Sequence, residues 1–140
     1  MTFPDNLASI GSSAFYGCTG LTALSLPSGL TTLSDFAFQN CSGLTELSLP
    51  EGCYTLWQGV FKNSGVTKLI LPSTLTQVRE NNLTEKLQTI YSQATYPPSV
   101  YSGNTISPDC NVYVPDASVD AYKAAEVWKN GNILPLSQAQ

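Results

Sequence analysis

The sequence predicts a right-handed repeat solenoid. It is built mainly of short parallel strands joined by turns and 3-10 segments, and closed C-terminally by a strand and a helix. Three observations predict it. The ten residues CTGLTALSLP at 18–27 return almost unchanged as CSGLTELSLP at 41–50. Proline falls at 4, 27, 50 and 72, in steps of 23, 23 and 22 residues. An L-x-x-L-x-L pattern, or its Val variant, stands before the last three of those prolines.

Each repeat reads in the same order. Three residues after the proline comes an apolar position, Leu7, Leu30, Cys53 or Leu75, and three further on another, Ile10, Leu33, Leu56 or Val78. The pieces 31–33 and 54–56 are expected to form a second short sheet around a corner. Small–aromatic pairs follow, Ala14-Phe15, Ala37-Phe38 and Val60-Phe61, with Asn82-Leu83 as a degraded fourth. They suit a turn, with Phe as a wedge between sheets. Cys18 and Cys41 come next, with Ser64 in the third copy.

The unit closes on Leu21, Leu24, Leu26; Leu44, Leu47, Leu49; and Val66, Leu69, Leu71. Alternation at 23–26, 46–49 and 68–71 suits strands with one face inward. The proline behind each strand ends it, having no N–H for a ladder. The fourth copy keeps Leu87 and Ile90 but has Ser92 where the last leucine belongs. Four repeats therefore span 1–92, as 4–26, 27–49, 50–71 and 72–92. One copy cannot bury its own leucines. Stacked copies can, at roughly 1.5–3 kcal/mol for each leucine removed from water.

Residues 93–140 are expected to cap the coil. They read as a loop over 93–108, a strand over Asn111–Val114 and a helix over 118–129. Ser118 is the expected N-cap, and Gly131 follows the helix. Val119, Tyr122, Ala125 and Trp128 recur at three-residue steps and can share one face against the last coil. Only Met1-Thr2-Phe3 precedes Pro4, so the first coil has no comparable lid. The expectation is a fragment of a longer repeat protein, either monomeric or associating weakly with itself through this open coil.

Composition narrows the function. The chain is 42% hydrophobic but only 11% charged, so it builds a core and relies on Ser, Thr, Asn and Gln for solubility. Six scattered basic residues against ten acidic ones leave no footprint for a nucleic acid. No apolar run is long enough to cross a bilayer, and the N-terminus does not read as a signal peptide. With no histidine, Ser–His–Asp and Cys–His catalysis are excluded. No phosphate loop and no C-x-x-C pair appears, so no cofactor or metal is expected. Cys18, Cys41, Cys53 and Cys110 read as free, buried thiols, since equivalent side chains in neighbouring coils point in parallel. Glu46, Glu51, Glu80 and Glu85 could supply a glycosidase pair only on paper. Asn40-Cys41-Ser42 and Asn82-Leu83-Thr84 match the glycosylation sequon.

The pattern L-x-x-L-x-L-P-x-x-L-x-x-[IL]-x-x-x-[AV]-F-x-x-[CN] resembles the BspA-type leucine-rich repeat of bacterial surface proteins. The resemblance covers 4–92. The segments Ala94–Pro98, Asn111–Pro115, Ser118–Lys123 and Trp128-Lys129 resemble the closing part of such proteins in Bacteroides relatives. The resemblance implies a leucine-rich-repeat solenoid at the cell surface or outside the cell. It implies adhesion or another binding role toward a host or surface protein or glycan, and no enzyme. It carries no set of ligand-contacting residues.

Outward strand positions supply the candidates: Ala23 and Ser25; Glu46 and Ser48; Lys68 and Ile70; Thr89 and Tyr91. Ile70 and Tyr91 are the apolar members of this panel, and either bind or lie under the cap. Trp57 has Gly11, Ser34 and Arg79 as counterparts, so it is not a core position. Tyr96 and Tyr101 sit in the 93–108 loop, which is either a capping or a recognition loop. Two functions follow: a binding or adhesion module, marked by an apolar, aromatic patch, or a structural spacer displaying another domain, marked by an evenly polar surface.

Overall fold

The computed structural model describes residues 2–22 and 24–139. The chain is a parallel β-solenoid of about six turns with one short α-helix near the C-terminus. Its strands are β1 (Ser9–Ile10), β2 (Thr32–Leu33), β3 (Glu46–Ser48), β4 (Thr55–Leu56), β5 (Lys68–Leu71), β6 (Gln77–Val78), β7 (Thr89–Ser92), β8 (Ser99–Val100), β9 (Asn111–Val114) and β10 (Asn132–Pro135). One wall is a five-stranded parallel sheet in the order β10-β9-β7-β5-β3. Around the corner lie a two-stranded sheet, β1-β2, and a three-stranded one, β4-β6-β8.

The leucine ladder explains the register. Leu47 stands beside Leu69, Leu69 beside Ile90, Ile90 beside Val112 and Val112 beside Ile133. All five are buried, so a slip by one residue would turn this row outward. Leu30, Leu33, Leu44, Leu56, Val78 and Phe38 fill the rest of the coil interior. Phe38 is the wedge, fully buried and stacked on Phe15 at 5.3 Å, and Phe3 meets the edge of Phe15 at 5.6 Å.

The turns also repeat. Ser13, Phe36, Gly59, Asn81 and Gly103 all have a left-handed backbone, with φ of 56°, 59°, 55°, 61° and 78°. Gly17, Asn40 and Asn63 form a second such column. Gly and Asn adopt this conformation cheaply, and Phe36 does not. One residue after this column, Asn82 and Asn104 take the buried place that Ala37 and Val60 hold in earlier coils. The Asn82 side-chain oxygen accepts the Val60 amide at 3.0 Å, and that of Asn104 accepts the amides of Asn82 (2.9 Å) and Leu83 (2.7 Å). Their side-chain amides donate to backbone carbonyls, Asn82 to Trp57 and Asn104 to Tyr101, both at 2.7 Å. Among the described residues no buried side-chain nitrogen or oxygen lacks a partner. Asn82, 1% exposed, is thereby closed to glycosylation in the folded chain.

The structure corrects several expectations. The strand foreseen at 23–26 is reduced to an isolated bridge between Thr2 and Ser25, and Ala23 lies outside the described residues. The loop at 93–108 contains a strand, β8, which continues the corner sheet. A strand at 132–135, not foreseen, completes the wall.

The helix foreseen over 118–129 is broken. The α-helix, α1, covers only Val119–Ala124, between 3-10 turns at Asp116–Ser118 and Trp128–Asn130. Ala125 is extended and Val127 has a φ of 70°, so the chain leaves the helix after Ala124. Ser118 makes no capping bond, because its hydroxyl donates to the Thr95 carbonyl at 2.6 Å. Tyr122 and Trp128 still meet, fully buried and edge to face at 5.4 Å, with the Trp128 indole donating to the Pro98 carbonyl.

The four thiols are free. Cys41, Cys53 and Cys110 are buried, and Cys18 is half-buried. Burial raises the thiol pKa of all three buried ones, that of Cys110 to about 11, so they stay protonated at neutral pH.

Candidate functional site

The outward face of the five-stranded wall carries two rows, set by the strand period of two. The registers place Glu46, Lys68, Thr89, Asn111 and Asn132 side by side. Two residues along each strand, they place Ser48, Ile70, Tyr91, Tyr113 and Leu134 side by side. The first row is polar and internally paired. Lys68 Nζ lies 3.1 Å from Glu46 Oε1, and the Asn132 side-chain amide donates to Asn111 Oδ1 at 2.9 Å. The second row is apolar and aromatic from Ile70 to Leu134. Tyr91 stacks on Tyr113 with centroids 5.2 Å apart and planes 13° apart, and Lys68 Nζ sits 5.4 Å from the Tyr91 ring. Ile70, Tyr91, Tyr113 and Leu134 are all half-buried by their neighbours in the row.

Four of the sequence candidates thus converge on this wall: Glu46, Lys68, Ile70 and Tyr91. Tyr113 and Leu134 belong to the same row and were missed. Their signal was the repeat step itself, since Tyr113 is 22 residues beyond Tyr91 and Leu134 a further 21.

The other three candidates lie elsewhere. Trp57 and Tyr101 stand at equivalent places just after β4 and β8, on the outward side of the corner sheet. Arg79, the counterpart after β6, lies between them, 6.0 Å from the Trp57 ring and 4.2 Å from the Tyr101 ring. Among the described residues Tyr96 is the most exposed of the large hydrophobic ones, at 83%. It borders a shallow cleft of about 350 Å³ with Pro97, Pro98, Ser73 and Thr76.

Three of the carboxylates are each engaged by a separate partner. Glu46 pairs with Lys68 and Glu80 with Arg79. Glu51 accepts both the amide and the hydroxyl of Ser73, at 2.9 and 2.7 Å, which hold its carboxyl below the usual range. This is the chemistry of a surface, with groups positioned by stacking and pairing rather than aimed into a cavity.

Comparison with protein-family models matches residues 1–101 to one described as a BspA type leucine rich repeat region of six copies. The chain belongs to the BspA-type leucine-rich repeat family. Comparison with curated proteins gives no match. The BspA-type repeat makes this a protein-interaction or repeat module, on a scaffold that is typically non-catalytic. No helix of this BspA-type solenoid, among the described residues, is long and apolar enough to cross a membrane.

Proposed function

We propose that this chain is a cell-surface adhesion module that binds an extracellular protein through the outward face of its five-stranded wall. The observation that carries the reading is the row Ile70–Tyr91–Tyr113–Leu134. Four apolar or aromatic side chains stand in register on adjacent strands, roughly 4.8 Å apart, beside a row of polar groups that mostly satisfy one another. Tyrosines stacked in this way are stiff and amphipathic, and lose little side-chain entropy when a partner covers them. A core of this kind with a polar rim is the usual anatomy of a protein-binding patch. The family's association with surface proteins supports the placement outside the cell.

The test is binding of the chain to a panel of extracellular-matrix proteins and host glycans, beside the Ile70→Ser, Tyr91→Ser double variant. Circular dichroism first establishes that both are folded. The expected result is a protein ligand bound by the parent and lost in the variant. A ligand bound equally by both moves the site off this wall. No ligand at high concentration favours the spacer reading, in which these coils only hold another domain away from its anchor.

A further inference from the structure

The corner sheet carries a second constellation, independent of the wall. Trp57, Arg79 and Tyr101 form a ladder across three coils, with the guanidinium between the two rings. Arg79 is the only arginine in the chain. Stacking engages the faces of a guanidinium and leaves its in-plane N–H groups free. One edge is used: Arg79 Nε donates to Glu80 Oε1 at 3.2 Å. Among the described residues, neither terminal nitrogen of Arg79 has a hydrogen-bond partner, and the side chain keeps 32% of its surface exposed. The result is a planar fork, held by two aromatic rings and one carboxylate, with its outer donors unspent. A planar fork of this geometry matches a carboxylate in a bidentate pair.

The surroundings narrow the ligand. Two residues back along each strand, the same outward face presents Thr55, Gln77 and Ser99 in register. A hydroxyl, an amide and a hydroxyl offer donors and acceptors in a line. Trp57 and Tyr101 remain 38% and 37% exposed beside them. Flat rings next to hydroxyl and amide groups suit a sugar, whose C–H face packs on an aromatic surface while its hydroxyls seek hydrogen bonds. A peptide carboxylate would want an apolar pocket for the neighbouring residue, and the adjacent row here is polar.

We propose that the Trp57–Arg79–Tyr101 ladder is a binding site for a carboxylate-bearing sugar. The outer edge of Arg79 takes the carboxylate, and the flanking rings and Gln77 hold the sugar ring.

The test exploits the single arginine. In a ¹⁵N-labelled chain the Arg79 Nε–H gives one side-chain resonance, and Trp57 and Trp128 give two indole resonances. A glucuronate-containing disaccharide is titrated beside its neutral glucose counterpart and a short glutamate peptide. The expected result is movement of the Arg79 and Trp57 signals with the acidic sugar, while buried Trp128 stays still. Affinity should fall by about tenfold or more in Arg79→Gln, and nearly as far in Arg79→Lys, which keeps the charge but loses the fork. Unchanged thermal unfolding of both variants separates lost binding from lost fold. Equal binding of the neutral sugar overturns the role of the carboxylate. Binding of the peptide alone overturns the sugar. No movement with any probe overturns the site.

Discussion

The hydroxyl of Tyr122 lies 2.8 Å from that of Ser92 and donates to the Ala94 carbonyl at 2.6 Å. A phenol has one proton to give, so Ser92 is the donor of the first bond. Both side chains are fully buried. Ser92 is where the repeat should carry a leucine, and its hydroxyl meets the Tyr122 phenol there instead. The break in the pattern marks the point at which the segment after β9 docks on the coil.

Replacing Tyr122 with Phe leaves the Ala94 carbonyl and the Ser92 hydroxyl buried without this partner. The expected loss is about 1–3 kcal/mol in urea unfolding. Ser92→Ala leaves the Ala94 bond intact and should cost less. The double variant should cost less than the sum of the two. Equal losses in the single variants would mean that the Ala94 bond contributes nothing.

Burial pushes the Tyr122 phenol from 10.0 up to about 12, and the Cys110 thiol from 9.0 up to about 11. Both groups hold their protons more tightly when folded. The stability they contribute is therefore complete below about pH 9 and is lost as pH rises through 11 and 12. Urea midpoints should hold up to about pH 9 and fall from there to about pH 12, and the fall should be smaller in Tyr122→Phe with Cys110→Ala. An identical fall in that variant would assign the alkaline sensitivity to other groups.

Asn104 is the most connected side chain of the turns. It accepts two backbone amides and donates to the carbonyls of Arg79, Tyr101 and Ser102. Asn104→Ala strands the amides of Asn82 and Leu83 inside the coil, at an expected cost of about 2–4 kcal/mol. Asn104→Asp keeps the acceptor but loses the donors and adds a buried charge, so it should rescue little at neutral pH. Amide exchange at Asn82 and Leu83 would report the same damage locally.

Gly65 answers to the backbone of the coil before it. A Cβ there would fall 2.5 Å from the Ser42 carbonyl oxygen and 3.1 Å from that of Leu44. Gly65→Ala must therefore push two coils apart, and a loss of about 1–3 kcal/mol is expected. Gly20→Ala is the control, because nothing stands within 4 Å of its added carbon. Similar melting temperatures for the two variants would show that the coils separate without strain.

Much of this fold was legible from residues alone, because the leucines at 21–71 state both the period and the inward face. Legibility failed where other side chains took over the same duty. In the last coils Asn104, Val112 and Ile133 occupy inward places without the leucine spelling. The solenoid therefore runs on through residues that read as a loop and a cap. The helix over 118–129 was overextended because Val119, Tyr122, Ala125 and Trp128 keep helical spacing, while the reversal at Ala125–Val127 leaves no mark in hydrophobicity. The wall was half legible. Ile70 and Tyr91 stood out as apolar residues facing outward, whereas Tyr113 and Leu134 needed the later register. The place of Arg79 between Trp57 and Tyr101 was hidden for the same reason: Tyr101 had first to be recognised as one coil beyond Arg79.

The column of left-handed residues at 13, 36, 59, 81 and 103 has an evolutionary consequence. Ser, Phe, Gly, Asn and Gly all serve there, so what the coils share is a bend angle rather than a residue type. Duplication or loss of one whole period preserves every bend and every inward contact. It changes only how many columns the outer surfaces display. Copying about 22 residues can thus lengthen or shorten the outer surfaces without redesigning the interior.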